Sequence, residues 1–201
     1  MDIIELILDE EMDNAGVEAL SIVSDPAIME QFIALNSQEK KYKFAEIDKE
    51  RQILCGPALI PDKMIYRRDG DREYYVHFSA STVRRASELF FIKSNQNNAT
   101  LEHESPLEKM TIVESWIIEN PEMDKSKMYG MNLPKGTWMI SMKVQDKEIW
   151  DEQVKSGLVS GFSIEGFFAQ KAIPAKKEEH SAEAIAVDKI NKLKELLTPK
   201  K

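Results

Sequence analysis

Short runs of β-branched and aromatic residues, each closed by a turn-forming cluster, recur along most of this chain and commit it to a β-rich fold. Val17-Glu18-Ala19-Leu20-Ser21-Ile22-Val23 stops at Ser24-Asp25-Pro26. Ile65-Tyr66-Arg67-Arg68 and Arg72 to Phe78 flank Asp69-Gly70-Asp71, a strong hairpin turn signal. Met110 to Glu119, Gly136 to Val144 and the segment around Ser163 read as further strands, and Ile4, Leu6 and Leu8 as a short first one. Tyr42 to Ile47 with Arg51 to Leu59 reads as a second hairpin. Helical spacing appears after a Ser79 or Ser81 cap, with Val83, Ala86, Leu89 and Phe90 inward, and again from Asp146 to Gly157. The pattern predicts an α+β, β-rich class: a closed or partly open β-barrel of about eight strands with two or three flanking helices. Residues 1–170 are expected to form this domain; residues 171–201 read as a charged linker and an amphipathic helix along Ala186, Ile190, Leu193 and Leu197.

At 201 residues and 42% hydrophobic content the chain can bury a sizeable core. A net charge of -8 and a pI near 5.1 argue against general nucleic-acid binding. No apolar run approaches a membrane span, and the Met1-Asp2 start lacks the basic flank of a secretory signal. The single cysteine, Cys55, rules out an intrachain disulfide and a cysteine zinc site, and its strand setting reads as core. Neither a metal nor a cofactor is expected, and no membrane partner.

Chemistry concentrates at Gly161-Phe162-Ser163-Ile164-Glu165-Gly166-Phe167. With period two, Leu158, Phe162, Ile164 and Phe168 form a core face, while Ser163 and Glu165 stand together on the other, about 7 Å apart. A serine becomes a nucleophile when a neighbouring base takes its proton, and histidine is the usual base. The chain has three histidines. His180 lies in the charged tail and His77 reads as a surface residue of a hairpin strand, which leaves His103 in the extended run Ala99 to Glu104. Two carboxylates compete to orient that base: Glu114, on a strand expected to pair with the His103 strand, and Glu165 as the alternative.

Several segments in order resemble the XkdF-type phage serine proteases and, behind them, the prohead (capsid maturation) proteases of tailed phages. They are Ile65-Tyr66-Arg67 with Tyr74 to Ser79, Ala99 to Glu104, Val113-Glu114-Ser115-Trp116-Ile117, Leu133 to Met139, and Val154-Lys155-Ser156-Gly157 leading into Gly161 to Gly166. The resemblance spans roughly residues 50 to 170 and implies a herpesvirus-assemblin-like barrel with His103 as base and Ser163 as nucleophile. Many prohead proteases carry a Glu-Val-Ser-Leu-Val, Pro-Ala segment after the serine strand. Here the similar stretch, Glu18 to Val23 with Asp25-Pro26-Ala27, lies near the N-terminus, with Ala19 at the family glutamate. A circularly permuted barrel would place this strand beside Ser163.

The function implied is that of a prohead serine endopeptidase, cleaving scaffold and capsid-associated proteins inside the immature capsid in the host cytoplasm. Its implied partners are the scaffold protein and the major capsid protein, with a homodimer or higher oligomer by analogy. The alternative is a catalytically inactive protein of the same fold, serving in capsid assembly or in the scaffold core.

Overall fold

The computed structural model describes residues 2–9, 11–27, 33–34 and 51–172. The expected strand at residues 42–47, His180 and the expected helix of residues 181–197 lie outside the described residues. Strands come first in chain order: β1 (Asp2–Ile7), β2 (Gly16–Val23), β3 (Ile33–Ala34), β4 (Ile53–Leu59), β5 (Ile65–Asp69) and β6 (Arg72–Phe78). Helix α1 (Ala80–Ile92) follows, then β7 (Ala99–Leu101), β8 (Ser105–Leu107), β9 (Met110–Ile117), α2 (Lys125–Met128) and β10 (Trp138–Val144). The short α3 (Lys147–Ile149) runs into a π-turn at Trp150–Val154, and β11 (Gly161–Phe167) and β12 (Ala169–Ala172) complete the series.

The strands form three four-stranded sheets, ordered β12-β1-β6-β5, β3-β4-β10-β9 and β11-β2-β7-β8. The α+β class holds, but among the described residues none of the sheets closes into the expected barrel. Closure needs a continuous ladder around the ring; here β7 and β8 are three residues each and the third sheet ends on them. β12 extends to Ala172, past the expected domain boundary, by pairing antiparallel with β1.

Local chemistry accounts for the elements around the site. Gly70, at φ +59°, turns the β5–β6 hairpin, where Asp69 faces Arg72. Ser79 caps α1 by accepting the Thr82 N–H, and Val83, Ala86 and Phe90 are fully buried along its inner stripe. The Phe90 ring meets Trp138 of β10 edge to face, with centroids 5.5 Å apart. Burying such a ring contributes about 1.5–3 kcal/mol, so this contact ties α1 firmly to the second sheet. Asp146 caps α3, and Trp150 and Val154 are buried. Among the described residues no helix is long and apolar enough to cross a membrane.

The N-terminal strand occupies the place the sequence analysis assigns it. β2 pairs antiparallel with β11 in a register that sets Ser21 directly opposite Ser163, and parallel with β7, setting Ser21 opposite Thr100.

Candidate active site

β11 lies at the edge of the third sheet, and two features fix its side chains. Ser163 and Glu165 are in regular alternation and share a face with Ser21, since the register slips only after Glu165. At that slip Gly166 lies against β2 so closely that a Cβ there would sit 2.0 Å from the Gly16 carbonyl oxygen. Only glycine lets the backbones approach this far. Phe162 is buried on the opposite face, whereas Phe167 is half exposed. The strand starts at Gly161, so the expected core position of Leu158 is wrong: Leu158 is exposed and Val159 is buried in its place.

His103 is not in a strand. β7 ends at Leu101, and Glu102 and His103 both adopt left-handed backbone, at φ +52° and +63°. For non-glycine residues this costs about 1–2 kcal/mol each, and bonds to β2 offset the cost. The Glu102 N–H donates to the Ile22 carbonyl (3.1 Å), the Ser24 N–H donates to Glu102 Oε1 (2.7 Å), and the His103 N–H donates to Ser21 Oγ (3.0 Å). The turn swings the exposed imidazole back over the Ser163 face, where His103 Nδ1 lies 3.1 Å from Glu165 Oε1. The hydroxyl of Thr100 donates to the same carboxylate oxygen. Opposite Glu165 stands Ala19, whose small side chain leaves the carboxylate room to lean across β2.

An ionised carboxylate only accepts hydrogen bonds, so Nδ1 is the donor in this pair, and whenever the imidazole is neutral its Nε2 lone pair is the one left to act as a base. The Ser163 hydroxyl and the Glu165 carboxylate thus share one face, and the imidazole joins it through Glu165. The Ser163 hydroxyl makes no side-chain hydrogen bond with another described residue. Nucleophile–base contacts often close only when substrate binds.

Glu114 stands elsewhere. The expected hairpin between its strand and the His103 segment is absent: β7 pairs with β8, and β9 pairs with β10 in the second sheet. A bulge in that pairing skips Val113 and slips the alternation, bringing Glu114 to the surface instead of the core. Its carboxylate accepts from the Ser141 hydroxyl (2.7 Å) and pairs with Lys125 (3.0 Å), and these two partners hold its pKa below the ordinary glutamate value. His77 is buried, not on the surface, with Nδ1 3.4 Å from Asp62 Oδ1. Cys55 is fully buried, as its strand position predicts, and burial pushes its thiol pKa up.

A cavity of about 230 Å³ opens along β11 where the three sheets meet. Leu6, Leu59, Phe78, Phe162 and Phe168 line it, with Arg67 as its charged wall; Ser163 borders it. Ser21 and Thr100, which hold the cluster together, were not singled out from sequence. Their roles depend on a parallel pairing across 79 residues that no local pattern announces.

Fold and site together define a β-rich α+β domain in which Ser163 and Glu165 share a strand face and Glu165 meets His103. The family whose sequence pattern matches residues 40–172 is described as "Putative phage serine protease XkdF", and the chain belongs to that family. No curated protein and no solved structure matches the chain.

Proposed function

We propose that the chain is a serine endopeptidase that processes scaffold and capsid-associated proteins as the phage capsid matures. One observation carries this reading: the His103 imidazole is held by Glu165 above the face that bears Ser163. In the proposed reaction Ser163 Oγ attacks the scissile carbonyl carbon while His103 Nε2 takes its proton. Collapse of the tetrahedral intermediate breaks the C–N bond, and the same proton passes to the leaving amine. Glu165 accepts the Nδ1–H throughout, keeping the ring oriented and stabilising the imidazolium. Water then repeats the sequence on the acyl-enzyme. The family membership supports a phage protease, and the place of β11 at the end of its sheet among the described residues suits strand-like binding of an extended peptide.

Co-expression with the phage scaffold and major capsid proteins, read by mass spectrometry of the products, tests the proposal. Wild type is expected to shorten one or both, and Ser163→Ala or His103→Ala to leave them intact. Identical products from wild type and Ser163→Ala would support instead the non-catalytic assembly role, which the lack of a Ser163 side-chain hydrogen bond among the described residues also accommodates.

A further inference from the structure

We infer that Ser21, on a strand outside the family-matched residues, is the positioning residue that sets the His103 imidazole over Ser163; this rests on the peptidase reading above. Ser21 is completely buried and lies directly opposite Ser163 on the adjacent strand. Its hydroxyl makes two bonds with different duties. It donates to the Thr100 carbonyl of β7 (3.3 Å) and accepts the His103 N–H (3.0 Å). The first fixes the direction of the hydroxyl proton, which turns a lone pair toward the His103 amide.

That amide belongs to the second of two consecutive left-handed residues, so no ladder carbonyl is placed to receive it. β2 and the residue just after it thus mount the turn at three points: the Ile22 carbonyl, the Ser24 N–H and the Ser21 hydroxyl. Of the three, only Ser21 acts through a side chain, and only Ser21 holds His103 itself. Removing it frees the peptide that orients the imidazole while leaving Ser163 and Glu165 in place. The family match begins at residue 40, so the N-terminal strand is a working part of the site that the matched segment alone would lack.

Ser21→Thr and Ser21→Val have nearly the same shape and differ in the hydroxyl, which separates the bond from packing. Two measurements on the full chain decide the matter: the rate of Ser163 labelling by a fluorophosphonate across pH, and amide hydrogen exchange of His103 by NMR. Ser21→Thr is expected to label within about two-fold of wild type and to keep the His103 amide protected. Ser21→Val is expected to label at least ~10-fold more slowly, with an altered pH profile, and to lose that protection. Equal labelling of the two variants, or unchanged His103 protection in Ser21→Val, would overturn the inference. If wild type itself is not labelled, the peptidase reading fails, and the exchange measurement alone decides whether Ser21 holds the turn.

Discussion

Gly166→Ala should cost this protein more stability than an ordinary glycine substitution, because the obstruction is backbone. The added methyl would meet the Gly16 oxygen at 2.0 Å, the Val17 Cα at 2.8 Å and the Gly16 carbonyl carbon at 2.9 Å. The first contact is about 1.4 Å short of ordinary separation, and no side chain can rotate away to relieve it. The end of β11 must therefore lift from β2, loosening the pairs Gly166–Val17 and Phe167–Gly16. Overpacking of this kind costs about 1–3 kcal/mol, and each ladder bond lost adds about 1 kcal/mol. A total near 3 kcal/mol lowers the melting temperature of a chain this size by about 6–12 °C. Gly157→Ala is the comparison: its methyl meets nothing within 4 Å, though φ is +75°. Strain alone there costs about 1–2 kcal/mol. Thermal unfolding followed by circular dichroism should rank Gly166→Ala well below Gly157→Ala. A Gly166→Ala protein melting within about 2 °C of wild type, or no lower than Gly157→Ala, would refute the close-approach argument and the seating of Glu165 drawn from it.

Two further outcomes follow from titration. The folded Glu114 carboxyl titrates below its ordinary 4.5, so its stabilising contribution is present above that pH and is lost as pH falls through the lowered value. Melting curves below pH 4.5 should therefore decline less steeply for Glu114→Gln than for wild type, and parallel declines would contradict the assignment. Cys55 is buried with a raised pKa, so the native protein should be silent to a thiol-reactive disulfide reagent and react once unfolded; prompt native reaction would contradict its burial.

What the sequence made legible was whatever local pattern decides. The Asp69-Gly70-Asp71 hairpin, the Ser79 cap with its Val83, Ala86 and Phe90 stripe, the Asp146 cap and the Ser163–Glu165 face all follow from turn chemistry and periodicity. Pairings between distant segments were harder to read. The resemblance to prohead proteases placed Glu18 to Val23 beside the Ser163 strand, and the β2–β11 ladder matches that placement. Nothing in the run Ala99 to Glu104 announces that it stops being a strand at Leu101, because the left-handed turn exists through bonds to β2. The expected pairing of the Glu114 strand with the His103 segment failed for a similar reason. Sequence order put Glu114 on the next strand, but a bulge and a different sheet carried it to Lys125. Closure of a barrel likewise depends on ladder continuity, which the short β7 and β8 do not supply.

The most direct test of the central claim is to label the folded protein with a fluorophosphonate and locate the adduct by peptide mass spectrometry. Modification is expected at Ser163, abolished in His103→Ala, strongly reduced in Glu165→Gln and unchanged in Glu114→Gln. An adduct on another serine, or labelling of Ser163 indifferent to His103 and Glu165, would contradict it.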